Sequence, residues 1–229
     1  MTKITERGMI FNAEMVRALL SGRKTQTRRI IKPQPEATLS GSLSGKWLSR
    51  PLNGLLLPKI EDIAIHCPFG VVGDRIWVRE TWAILGNEDG CCIDWEEKLC
   101  KADERSAARI YRASCEQRPG NYGLWSIPDD ADWKPHTKDY QYEGAWRPSI
   151  HMPRWASRIL LEITGVRVER LRSMSQDDAR AEGVIAASGP MEAGLAFREL
   201  WDSIYGEESW KANPWVWVIE FKRVEGGAA

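Results

Sequence analysis

The sequence is short of several things, and each shortage removes a class of function. It has no excess of charge, since 32 lysines and arginines stand against 32 aspartates and glutamates. Global charge therefore argues neither for nor against a polyanionic partner. No apolar run approaches the roughly 18 residues of a membrane-spanning helix, and the opening MTKITERGM lacks the apolar core of a signal peptide. The expectation is a cytoplasmic protein without membrane contact. Five cysteines, odd in number and irregularly spaced at 67, 91, 92, 100 and 115, do not read as a disulfide framework. Neither a Cys-x-x-Cys knuckle nor a His-x-x-x-His pair is present, so no metal is expected. A Gly-x-x-x-x-Gly-Lys-Ser/Thr loop and a dinucleotide fingerprint are also missing, so no cofactor is expected.

Tryptophan is plentiful, with 12 residues, and positive charge is concentrated locally. Residues 17 to 32 contain Arg17, Arg23, Lys24, Arg28, Arg29 and Lys32 and no acid at all. Such a strip attracts phosphate without raising the overall isoelectric point.

Local patterns outline the chain. In 11-FNAEMVRALLSG-22, Asn12 is an N-cap, Phe11 and Val16 hold staple positions, and Gly22 ends the helix. Residues 33–61, rich in Pro, Ser, Gly and Leu, read as one insertion, and the irregular stretch 83–144 reads as a second, with one short strand at 109-RIYRA-113. A Gly-Asp turn precedes the alternating strand 75-RIWVR-79. Pro153 opens a short helix, and 159-ILLEITGVRVERL-171 is one long strand or two joined at Gly165. Ser175 and Asp178 form a capping box, Leu195, Leu200, Trp201 and Ile204 are expected on one buried helix face, and 214-PWVWVIEFK-222 is a closing strand. Trp77, Trp201, Trp215 and Trp217 are assigned to packing. Short helices among separated strands, without βαβ alternation, predict an α+β domain around a curved or barrel-like sheet.

The spacing Gly22-x-Lys24-x-x-Thr27-x-Arg29 resembles the signature of ASCH domains, a family with a PUA-like fold linked to RNA and nucleoside chemistry. GDRIWV at 73–78, SQDDARAEG at 175–183 and WVIEFK at 217–222 are similar to further segments of that family, in the same order. The larger pattern, including residues 145–171, resembles phage and prophage ASCH proteins. The resemblance implies a single ASCH domain over 1–229, a small β-barrel with short flanking helices and an irregular inserted lobe, with insertions at 33–61 and 83–144. It also implies roles: small amidohydrolases of the family use a Lys base, a Thr nucleophile and a Glu proton donor, and the matching positions are Lys24, Thr27 and Glu182.

That chemistry is coherent, because a threonine hydroxyl needs a neighbouring base, and lysine serves only if its pKa falls. Partial burial and the nearby Arg23, Arg28 and Arg29 would lower it. One geometric condition attaches: in an extended strand Lys24 and Thr27 lie on opposite faces, so a turn or bulge must separate them. The arginines equally suit phosphate binding without catalysis. Beside them, Arg79, Trp82, Trp146, His151, Arg154 and Trp155 form a candidate surface for stacking a base and gripping its phosphate. Three functions follow: hydrolysis of an amide-type bond on a modified nucleoside, non-catalytic binding of RNA or a modified nucleobase, and RNA cleavage.

Overall fold

The computed structural model describes residues 4–86, 91–96, 98–100, 103–114, 146–185 and 192–224. Much of the expected insertion at 83–144 lies outside these residues, Cys115 included. Among the described residues, nine strands run in chain order as β1 (Glu6–Ile10), β2 (Gln26–Ile30), β3 (Glu36–Ala37), β4 (Leu43–Ser44), β5 (Arg75–Arg79), β6 (Trp82–Ile84), β7 (Arg109–Tyr111), β8 (Leu160–Arg170) and β9 (Trp215–Arg223). Four α-helices accompany them: α1 (Ala13–Leu20), α2 (Gln176–Ala181), α3 (Glu192–Tyr205) and α4 (Glu207–Ala212). This is an α+β architecture.

The principal sheet has the order β1-β5-β8-β9-β2, with β3-β4 and β6-β7 as separate two-stranded sheets. The expected small barrel is not closed among the described residues, because β1 and β2 end the five-strand order. The chain also separates into two compact units. Of the described residues, the first unit takes those up to Arg7, Ala18–Ile76 and those from Leu160 onward; the second takes Gly8–Arg17 and those within Trp77–Ile159.

Local chemistry explains the elements. The Met15 N–H donates to Asn12 Oδ1 at 2.8 Å, closing the N-cap of α1, and the staple residues Phe11 and Val16 are both buried. In β5, Ile76 and Val78 are buried between half-buried neighbours, the alternation of a strand with one core face. The Ser175–Asp178 capping box is complete: the Asp178 N–H donates to Ser175 Oγ at 3.0 Å and the Ser175 N–H to Asp178 Oδ2 at 2.9 Å.

In the first unit, β9 is central, flanked antiparallel by β2 and β8. One of its faces carries Val216 and Val218, which pack with Leu171, Ala179, Ala193, Phe197 and Trp201. Fully burying each large apolar side chain here contributes about 1.5–3 kcal/mol. The buried stripe of α3 is therefore Ala193, Phe197 and Trp201, one turn apart. Leu195 and Ile204, expected on that stripe, are exposed at 59% and 43%, because the valines of β9 select the other side of the helix. The opposite face of β9 carries Trp217, which meets Trp47 edge-on at 5.9 Å. Trp47 comes from the 33–61 stretch and donates its indole N–H to the Pro33 carbonyl at 3.0 Å; this segment thus closes one side of the core. β8 is one strand whose pairing with β9 shifts between Ile163 and Gly165.

Candidate functional site

Lys24 precedes β2, and its backbone is fixed on both sides: its N–H donates to the Ala18 carbonyl at 3.0 Å, and that of Thr25 to the Ala181 carbonyl at 2.8 Å. These bonds bring the start of β2 to the C-terminal end of α2. Gly183, just beyond that end, has φ +89, a conformation glycine adopts without steric cost. A Cβ there would stand 2.7 Å from Ala18 Cβ and 2.8 Å from Lys24 Cβ, so only glycine allows the approach.

Across this junction Lys24 Nζ donates to Glu182 Oε2 at 2.8 Å and to the Glu182 main-chain carbonyl at 2.8 Å. The pair is sealed, with side-chain exposures of 0% and 2%. Arg28, also fully buried, donates from Nη1 to Glu182 Oε1 at 3.0 Å and from Nη2 to Glu169 Oε1 at 2.6 Å. Gln26 donates to the Asp178 carbonyl at 2.7 Å and to its Oδ1 at 3.1 Å. Arg167 of β8 extends the network to Asp178 at 2.6 Å, to Glu169 at 3.3 Å and to Glu220. Three cations, Lys24, Arg28 and Arg167, thus meet four carboxylates, those of Glu169, Asp178, Glu182 and Glu220. Two cations of the strip that is bare of acid in sequence, Lys24 and Arg28, are thus neutralised in space.

Burial pulls the Lys24 amine below its ordinary 10.5; Glu182 pulls it back up, and Arg29 and Arg28 add to the fall. Burial also works against ionisation of Asp178, but hydrogen bonds from Ser175 and Gln26, with the Arg28 charge, outweigh it and hold that carboxyl well below the usual range.

Lys24, Gln26 and Arg28 all bond to residues of α2 or its cap, so they share one face of the strand. Thr27 lies between Gln26 and Arg28 in regular β2 and projects from the other face. It is paired across the ladder with Ile219, is 0% exposed, and its hydroxyl has no hydrogen-bond partner among the described residues. Lys24 and Glu182 are therefore brought together and Thr27 is not; the turn or bulge that would unite the three is absent between them. Of the other strip residues, Arg23 is exposed and donates to the Gly183 carbonyl at 2.9 Å, while Arg29 is half-buried.

The remaining candidates belong to the second unit. Trp82 is 1% exposed, edge-on to Trp155 at 5.6 Å, with the Arg147 guanidinium 5.1 Å from its ring. Trp82 is thus a core ring, and the half-buried Trp146 and Trp155 keep partial access. Trp146 packs on the cluster of Ala83, Leu85, Ile93, Ala108 and Ile110. Arg79 donates to the Ser149 carbonyl at 3.1 Å and to that of Ile150, with Trp77 beneath it. His151 is exposed at the end of a 3-10 turn, and the half-buried Arg154 begins the next.

Sequence reasoning missed Glu169, Arg167 and Glu220 as site residues. Their signal was available: Arg167 and Glu169 interrupt an apolar strand at i and i+2 and so share a face. It also missed Glu80, a buried carboxylate held by Arg158 at 2.9 and 3.0 Å, whose pKa burial raises despite the guanidinium. Among the described residues, no group of three or more His, Cys, Asp or Glu side chains is arranged to hold a metal ion, and no helix is long and apolar enough to cross a membrane. Set against protein-family models, curated proteins and solved structures, the chain matches none of them.

Proposed function

We propose that the chain is a nucleic-acid- or nucleoside-binding protein of the ASCH type, PUA-like in fold, that recognises RNA or a modified base without breaking a bond. The observation that carries this reading is the separation of Lys24 from Thr27 on opposite faces of β2. Among the described residues the Thr27 hydroxyl has no base in hydrogen-bonding contact, and the Lys24 amine already spends two donors on Glu182. Lys24, Arg28 and Glu182 then serve as a rigid floor, and the exposed Arg23 with the half-buried Arg29 attracts phosphate.

A second reading, hydrolysis of an amide-type bond on an acylated nucleoside, is favoured by the lowered Lys24 amine beside Glu182. A buried amine and carboxylate in contact are equipped to pass a proton. Binding of labelled RNA and DNA oligonucleotides across a salt series, run beside incubation with N4-acetylcytidine, separates the two. Binding that weakens with salt, weakens further in R23A and R29A, and occurs without turnover is the expected result. Turnover lost in K24A, T27A and E182A would replace it with the hydrolase, and RNA cleavage in metal-free buffer with a nuclease.

A further inference from the structure

The second unit holds a pair of thiols that neither the nucleic-acid reading nor the ASCH resemblance uses. Residues 91–96 and 98–100 pair with one another: Ile93 bridges Leu99 antiparallel, the Asp94 N–H donates to the Lys98 carbonyl at 3.0 Å, and the Cys100 N–H donates to the Cys92 carbonyl at 3.0 Å. These bonds set Cys92 and Cys100 opposite each other in hydrogen-bonded register, joined by one backbone bond. Such pairs have Cα atoms about 5.5 Å apart, inside the range a disulfide spans. Directly opposed residues present their side chains on the same face. Accordingly both cysteines pack against the same cluster, formed by Trp82, Ile84, Ala107, Met152 and Ala156. The Cys100 thiol donates to the Lys98 carbonyl at 3.9 Å, on the same hairpin. Both are half-buried and reduced, and neighbouring Cys91 projects from the opposite face by strand alternation.

We propose that Cys92 and Cys100 form a reversible disulfide, making this hairpin a redox-modified site that closes on exposure to a small-molecule disulfide such as oxidised glutathione. One cysteine, as thiolate, attacks a sulfur of the glutathione disulfide and releases one glutathione thiolate. The second cysteine thiolate then attacks the protein sulfur of the mixed disulfide and releases the other. Two protein thiols are oxidised to one S–S bond, one glutathione disulfide is reduced to two glutathione thiols, and the two cysteine protons end on the leaving sulfurs. Burial, with the neighbouring Cys92 and Asp94, raises the Cys100 pKa, so closure is slow at neutral pH and accelerates as the pH rises.

The test is equilibration of the full chain over a series of reduced-to-oxidised glutathione ratios, followed by trapping of free thiols and peptide mapping. The expected product is a peptide joining Cys92 to Cys100, short of two hydrogens, reversed by excess reduced glutathione and retained in Cys91→Ser. It should be absent from Cys92→Ser and from Cys100→Ser. The idea is overturned if wild-type protein, folded by circular dichroism, keeps Cys92 and Cys100 separately trappable at the most oxidising ratio. It is overturned equally if either cysteine stops at a glutathione adduct or pairs with Cys91 or with another molecule. Because the wild-type map alone decides, misfolding of a variant does not rescue the idea.

Discussion

Lys24 and Glu182, 158 positions apart in the chain, are joined twice: one ammonium donates to both the carboxylate and the main-chain carbonyl of the same residue. The carbonyl is one that the end of α2 would otherwise leave unpartnered. Lys24 therefore caps a helix and neutralises a buried acid with the same group.

Glu182→Gln should be costly. It leaves the Lys24 ammonium and the Arg28 guanidinium facing a neutral amide in a site closed to water. A buried pair broken from one side typically loses about 3–5 kcal/mol. Urea denaturation should show a lower midpoint with little change in slope; a midpoint at the wild-type value would refute the assignment of Glu182 as the hub of the network.

Gly183→Ala tests the approach of α2 to β2. The added methyl meets two Cβ atoms at 2.7 and 2.8 Å, and the φ of +89 disfavours any side chain. The expected loss is more than about 1 kcal/mol, measured by thermal or chemical denaturation. Gly22→Ala, where φ is also positive but a Cβ meets nothing within 4 Å, should cost less.

Thr27→Val separates the binding and catalytic readings through stability and activity together. A methyl in place of a buried hydroxyl without a partner removes a desolvation penalty of about 1–3 kcal/mol. The variant should be as stable as wild type or more so, and should bind oligonucleotides unchanged. A variant that denatures normally but loses hydrolytic turnover would place Thr27 in the chemistry.

Asp178 sets an acid-side slope. Its folded-state pKa lies below the ordinary 3.8, so between the two values the unfolded chain binds more protons. The stabilisation is present above about pH 4 and is lost as the pH falls. Glu80 acts with opposite sign: its pKa is raised above 4.5, so the folded state binds more protons just above that value and stability declines there as the pH rises. Denaturation midpoints between pH 2 and pH 7 should show a flatter acid limb in Asp178→Asn. An unaltered limb would remove Asp178 as its source.

Features fixed within a few residues were legible in the sequence. The Asn12 cap, the Gly-Asp turn before β5 and the Ser175–Asp178 box each rest on hydrogen bonds or dihedrals local to the motif. The meeting of Lys24 with Glu182 was reached only through the resemblance to ASCH proteins, because nothing local links them. The doubt over Thr27 was legible from strand alternation alone, and β2 is regular where it matters. Three features required the tertiary context. The buried stripe of α3 depends on Val216 and Val218, the neutralisation of Lys24 and Arg28 depends on acids from α2, its C-terminal cap and β8, and barrel closure depends on which strands become edges.

The shift in β8 matters beyond the local pairing. Before it, Ile163 stands opposite Phe221; after it, Gly165 stands opposite Glu220, leaving Thr164 as the extra residue. Odd-numbered side chains of β8 thereby change sides partway along the strand. Leu161 and Ile163 enter the same layer as Trp217 and Phe221, whereas Arg167 and Glu169 reach the ionic network. Thr164 thus works as a parity switch, letting one continuous strand serve an oily layer with its first half and a charged one with its second. Deleting this exposed threonine would be no simple trim, because it would turn either Leu161 and Ile163 toward the charges or Arg167 and Glu169 toward the tryptophans.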